Sequence, residues 1–346
     1  MKKMKELWPD QKLVLVCRQG LGDFFLRTRL VDEVFEIKKG QRDSYQRVVE
    51  ALKTSSVHTL VSPHESLRTA FFSRKIKARQ KISFAKAWNR FFYGLRVAKN
   101  YELPDALRQL SLLQSFDVKL QYQIEAYASS RQAYRVDKTG LLSAPPEWAS
   151  MSLREFYETE KERLAPLLTS LGLGFENLKK AVALFPGSVW ATKRWTETGY
   201  IQTGRKLAQQ GIPVLVMGGP GEEDLCERVA QAIPQALNLC AKTSIFESAL
   251  LLSQMVAVVG NDSASMHLAA TSGTPSVVIF GPTILQFGFR PWQDKVYVVE
   301  KSDLSCRPCG KHGHKACPLR THACMKRLVP EEVLQKVQSL LHAGPR

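Results

Sequence analysis

The chain has 346 residues, more than a single hydrophobic core of about 250–300 residues sustains, so two domains are expected. With 44% hydrophobic and 23% charged residues, a largely disordered chain, a collagen and a coiled coil are excluded. The formal net charge is +17, and most of that surplus falls within residues 1–150, so this half is where an anionic partner would be met.

The chain opens "MKKMKELWPDQKLVLVC". Its apolar core is too short for a secretory signal, and no small-residue cleavage site follows. No apolar run approaches the roughly 18–20 residues of a membrane-spanning helix, so a soluble cytoplasmic protein is expected. Seven cysteines in a reducing compartment point to thiols or metal ligands over a disulfide framework.

"KLVLVCRQGLGDFFLRTRLVDEVFE" predicts a strand, a glycine-bearing turn and a helix carrying Phe25, Leu26, Leu30 and Val34 on one face. Asp23, after two glycines, either caps that helix or, if held in a cleft, accepts a proton from an attacking hydroxyl. "VHTLVSPHES" predicts a second strand, and the basic stretch after it has helical periodicity. Between Ser66 and Glu102 no acidic residue occurs; Arg68, Arg74 and Lys75 begin a series of cations that alternates with Phe71, Phe72, Trp88 and Phe91. Such a mixture suits a phosphorylated lipid surface, nucleic acid, or a solvated helix face with core aromatics behind it.

The adjacent prolines of "LLSAPPEWAS" break strand and helix alike and set the domain boundary, giving units 1–150 and 151–346. Beyond it, strands alternate with helices, and runs such as Val256–Val259 and Val277–Phe280 are apolar without alternation, as strands covered on both faces are. The fold class is therefore α/β with parallel, doubly wound sheets. Ligands of such sheets sit at the carboxyl ends of strands.

Several motifs fall there. In "LFPGSVWATKRW" a strand ends in a Pro-Gly turn, and Thr192 and Lys193 lead into a helix. Lys193 is either a solvated loop residue or a counter-charge for a leaving diphosphate. In "MGGPGEEDL", Glu222 or Glu223 either accepts ribose hydroxyls or complements a helix dipole. In "VVGNDSASMHLAA", Asp262 either caps a helix or meets a ligand at its start, where Ser263 and His267 share a face; a core histidine is the plainer reading of His267. The dinucleotide and P-loop glycine patterns are missing, which disfavours a nicotinamide dehydrogenase or a P-loop ATPase. Finally, Cys306, Cys309, Cys317 and Cys324 offer enough thiolates for a structural zinc, with His312, His314 and His322 nearby.

In their order, from about residue 13 to 335, Gly22-Asp23 with Thr28, "VSPHESLRTAFF", "FPGSVWATKRW", "GGPGEE", "VGNDSASMHLAA" with "FGPT", and the cysteine segment resemble the ADP-heptose:lipopolysaccharide heptosyltransferases, glycosyltransferase family 9. The resemblance implies a GT-B fold of two Rossmann-like domains facing across a cleft. It implies inverting, metal-independent transfer of heptose from ADP-heptose to the inner core on lipid A, at the inner face of the cytoplasmic membrane, with no nucleic acid partner. On that resemblance Asp23 is the general base, and Lys193 with Thr192 contacts the diphosphate. Glu222 binds ribose; Asp262, Ser263 and His267 line the sugar-nucleotide pocket; the basic stretch with Arg68, Arg74 and Lys75 faces the phosphorylated acceptor. Where the family commonly has Pro after the threonine, Arg29 follows Thr28. Rival readings are a same-fold transferase using another nucleotide sugar or a protein acceptor, and a non-catalytic protein that binds membrane surfaces or nucleic acid.

Overall fold

The computed structural model describes residues 1–342. The chain divides into two compact units, Met1–Arg131 and Gln132–Arg346.

In the first unit β1 (Val14–Arg18) pairs in parallel with β2 (Glu33–Ile37). A second parallel sheet joins β3 (Val57–Ser62), β4 (Ala78–Phe84) and β5 (Leu95–Val97). Val14, Val16, Phe35, Ile37 and Val57 pack on Val48, Val49 and Leu52 of the helix Arg42–Lys53. The helix expected after β1 is short, Gly22–Arg27, and Val34 lies in β2. The Thr28 hydroxyl donates back to the Phe24 carbonyl at 2.7 Å, and Arg29 adopts a φ of 55°, so the helix cannot continue. A proline ring, fixed near φ −65°, could not occupy that place. The basic stretch is likewise only partly helical: helix Leu67–Lys75 gives way to β4.

In the second unit β6 (Val182–Phe185), β7 (Val214–Val216), β8 (Leu237–Asn238), β9 (Ala257–Asn261), β10 (Ser276–Phe280) and β11 (Val296–Glu300) form one parallel sheet in the order β11-β10-β9-β6-β7-β8. β6, β9 and β10 are buried along their whole length, as apolar runs without alternation predict. Tyr200 and Leu207 of the helix Glu197–Gln209 and Val333 and Val337 of the helix Pro330–His342 complete this core. The strand order reverses between β6 and β9, the switch point at which an open α/β sheet leaves a crevice for ligands.

The division after Arg131 falls nineteen residues before the boundary expected after residue 150. Residues 132–150 belong with the second unit because they are bonded to it: Leu142 N–H donates to Val296 O and Val298 N–H to Gly140 O, both at 2.8 Å. The buried Arg290 guanidinium donates to the Ala133 and Ser143 carbonyls, and Trp292 Nε1 to Ala149 O at 2.8 Å. Pro145-Pro146 breaks secondary structure, as expected, without ending a packing unit.

Candidate active site

Both sides of the β6/β9 switch point carry motifs singled out above. Beyond β6 the chain turns through Pro186-Gly187, and a 3-10 turn, Ala191–Lys193, precedes the helix Glu197–Gln209. Beyond β9, Asp262 precedes the helix Ala264–Ser272. The structure joins them: Lys193 Nζ lies 2.5 Å from Asp262 Oδ2 and 3.2 Å from the Asp262 carbonyl oxygen. Thr283 Oγ1, from "FGPT", donates to the same carboxylate oxygen at 2.7 Å. The Lys193 and Asp262 side chains are 13% and 9% exposed, so Lys193 is not the solvated loop lysine of the plainer reading. An ammonium has three N–H bonds, and two are engaged here, which leaves one for a ligand oxygen.

Asp262 is not a helix cap: its Oδ2 is held by Lys193 and Thr283, and Ser263 follows it at the cap. Ser263 occupies the cap position, but its side chain accepts no helix N–H; its hydroxyl lies 2.8 Å from that of Ser265. The helix start thus keeps its backbone donors, and it adjoins a lysine. His267, one turn on, is exposed and not the core histidine that the plainer reading gives.

Asn261, fully buried, fastens the two loops. Its Oδ1 accepts from Trp195 N–H at 2.9 Å, and its Nδ2 donates to the Pro186 and Gly187 carbonyls at 3.0 and 3.1 Å. Glu222, at the cap position of the helix Glu223–Gln231, accepts from Gly219 N–H at 3.0 Å. Its carboxylate lies against the Gly187 backbone, where a Cβ would come within 2.1 Å of Glu222 Cδ. Glu222 is thereby brought beside the loop of Lys193.

Thr192 is buried, and its hydroxyl donates to His314 O at 2.9 Å and accepts from His314 N–H at 2.7 Å. This hydroxyl is committed to the cysteine-rich segment, which changes the part that Thr192 plays. Among the described residues no group of three or more His, Cys, Asp or Glu is placed to hold a metal ion, and Cys306, Cys309, Cys317 and Cys324 are free thiols. Cys324 is turned into the sheet's core, and Cys317 Sγ accepts from His322 N–H at 3.4 Å.

In the first unit Asp23 lies in the first turn of the helix Gly22–Arg27 and caps nothing; Leu21 holds the cap position. The Asp23 side chain is 58% exposed, and its Oδ1 accepts from Arg27 Nε at 2.9 Å. Its loop is fixed by Glu36 of β2, whose Oε1 accepts from Gly20 and Gly22 N–H at 3.0 and 2.8 Å. Arg68, Arg74 and Lys75 are exposed along the helix Leu67–Lys75. Leu67 and Phe71 of that helix are each 55% exposed, and Arg90 stacks over the exposed Phe91 ring at 4.7 Å. Phe84 and Tyr93 of the same basic stretch are core residues, so cation-aromatic surface and core aromatics both occur.

The sequence reading assigned no part to Asn261, Thr283 or Glu36, and it placed His314 and His322 only as donors near the cysteines. A polar side chain at the last residue of an otherwise apolar strand was the available signal for Asn261. The others act on residues far away in sequence and left none.

A family model described as glycosyltransferase family 9 (heptosyltransferase) matches residues 45–319. The lipooligosaccharide heptosyltransferase 2 of Campylobacter jejuni subsp. jejuni serotype O:2 is 34% identical over 170 residues, 48% of this chain and 52% of that protein. The protein of the same name from Haemophilus influenzae is 31% identical over 169 residues, 46% of this chain and 47% of the relative. The chain thus spans about half the length of the curated relatives it matches. A solved structure described as E. coli ADP-heptose lps heptosyltransferase II superposes with a TM-score of 0.74 over 99% of this chain and 93% of that one, at 17% identity. At that identity the likeness speaks to the fold, which is of the GT-B class expected from the sequence.

Proposed function

The chain belongs to glycosyltransferase family 9, and from that premise we propose that it is an inverting heptosyltransferase of lipopolysaccharide core assembly, taking heptose from ADP-heptose to a lipid A-linked acceptor. The observation that carries this reading is the pairing of Lys193 with Asp262 at the strand-order reversal, beside a helix start that no side chain caps.

In the proposed reaction the Asp23 carboxylate takes the proton of the acceptor hydroxyl. The freed oxygen attacks the anomeric carbon from the face opposite the diphosphate; the bond to the diphosphate breaks, and configuration inverts. ADP leaves with its growing negative charge held by the third N–H of Lys193 and by the backbone donors before Met266. Asp262 serves twice, fixing Lys193 and offering its remaining lone pairs to sugar hydroxyls. Glu222 suits the ribose, with Ser263 and His267 nearer the sugar and phosphates. Arg68, Arg74 and Lys75 suit the acceptor's phosphates at the inner face of the cytoplasmic membrane, where the enzyme is peripheral. Asp23, exposed and tied only to Arg27 in the described contacts, is open to an incoming alcohol.

Replacing Asp23 by Asn tests the reading, because it keeps shape and removes the base. Transfer from ADP-heptose should fall by about 10²–10⁴-fold, while ADP-heptose still raises the melting temperature by mass action. Retained transfer would remove Asp23 from the base's place. A wild-type protein stabilised by another nucleotide sugar, and not by ADP-heptose, would overturn the donor.

A further inference from the structure

The cysteine-rich segment holds Thr192 on every side. Thr192 N–H donates to His314 O at 3.2 Å, and its hydroxyl exchanges two hydrogen bonds with the His314 backbone. The Thr192 carbonyl accepts from His322 Nε2 at 2.9 Å, so that nitrogen carries the hydrogen. All three polar groups of a buried residue are therefore satisfied by one segment. Gly313, at φ +84°, lies against the next residue: a Cβ there would come 3.2 Å from Lys193 Cγ and 3.2 Å from Thr192 Oγ1.

The segment is in turn fastened to the other side of the site. His314 Nε2 donates to Cys309 O at 3.0 Å, and Cys309 N–H donates to Pro282 O at 2.9 Å. Arg307 donates to Thr283 O at 3.0 Å and to Glu300 Oε2 at 2.7 Å. Thr283 bonds Asp262, and Asp262 bonds Lys193. The contacts close a ring that runs from Lys193 through Asp262, Thr283, Cys309 and His314 to Thr192 and back to Lys193.

We propose that residues 306–322 are a positioning strap for the leaving-group lysine: His322 and Gly313, acting through the Thr192 main chain, hold the Lys193 ammonium beside Asp262. The proposal deepens the reading of Lys193 as the counter-charge of a diphosphate and rests on it. It also gives His322 and His314, spare donors in the sequence, a place in the site through their bonds to Thr192 and Cys309. Neither residue is catalytic, since each acts through another.

The test compares His322→Ala, Gly313→Ala and His322→Gln, the last of which keeps a side-chain N–H for the Thr192 carbonyl. Hydrogen exchange of peptides covering residues 190–194 should speed at least tenfold in the two alanine variants and stay near wild type in the glutamine variant. Peptides of β6 and β9 should be unchanged. Acetylation of Lys193 by an acylating reagent, read by mass spectrometry, should accelerate in the same two variants. With ADP-heptose saturating, kcat should fall at least tenfold while the KM for acceptor holds. Wild-type exchange and Lys193 reactivity in both alanine variants would overturn the strap, as would loosening spread equally through β6 and β9. If the wild type transfers from no nucleotide sugar, the proposed function fails, while exchange and acetylation still decide the strap.

Discussion

Cys317 and Cys324 lie seven residues apart, yet the fold gives their thiols opposite characters. Burial raises the Cys317 pKa, but the N–H groups of His322, Leu319 and Thr321 outweigh it, and the net shift is downward. Burial pushes Cys324 up to about 11, with Cys309 adding to the rise; burial and then Cys306 and Cys317 raise Cys309. A lowered pKa puts thiolate, the reactive form, at lower pH. At pH 7.5 iodoacetamide should therefore label Cys317 at least tenfold faster than Cys324, with Cys324 gaining only as pH nears 11. Equal resistance of all four thiols, with stoichiometric zinc released on denaturation, would mean they are ligated as their spacing suggests. The same segment shows what a sequence conceals at this scale. Lys193 and Asp262 could be singled out because each follows a strand end. Their mutual bond spans 69 residues, and the hold of His322 on Thr192 spans 130; no spacing rule reaches that far.

At the scale of elements, legibility followed burial on two faces. β6, β9 and β10 are apolar runs without alternation, polar only at Asn261 and Ser276 at strand ends, and each lies close to where its sequence places it, because a strand covered on both sides has few polar positions to confuse the pattern. In the first unit β1, β2 and β3 are only half-buried along much of their length. Apolar spacing there also fits a helix, so Leu30 and Val34 were read as continuing one that the Thr28 and Arg29 backbone stops. The loop between β1 and that helix depends on Gly22 more than on the helix itself. A Cβ at Gly22 would lie 2.6 Å from Val34 Cγ1 and 2.8 Å from Glu36 Oε1, pushing the Asp23 loop away from the carboxylate that anchors it. Gly22→Ala should destabilise the first unit by about 1–3 kcal/mol, seen as a fall of several degrees in melting temperature. Gly94→Ala is the control: no atom outside its neighbours lies within 4 Å of a Cβ there, and it should melt with the wild type. Equal melting of both variants would show that the loop is not held by Glu36.

For the whole molecule, the charge distribution makes the basic patch the place to test for anionic partners. The surplus of +17 is concentrated in residues 1–150, and the helix Leu67–Lys75 presents Arg68, Arg74 and Lys75 together with Leu67 and Phe71. No helix among the described residues is long and apolar enough to cross a membrane. Each cation near an anionic membrane contributes about 1 kcal/mol, screened over a Debye length of about 10 Å at 0.1 M salt. Neutralising the three cations to alanine should therefore weaken binding to vesicles containing lipid A by about two orders of magnitude at low salt. Wild-type binding should fall steeply between about 50 and 300 mM salt, as the Debye length shortens and the exposed charges are screened. Phe71→Ser should weaken it at every salt concentration, since the ring acts through the interface and not through charge. Duplex DNA separates the readings that composition alone left open, because it offers phosphates without an apolar layer: Phe71→Ser should leave DNA affinity unchanged while lowering vesicle affinity. A loss of both in parallel would show that the phenylalanine supports the helix instead of entering a bilayer, and vesicle binding indifferent to salt would remove the cations from the interface altogether.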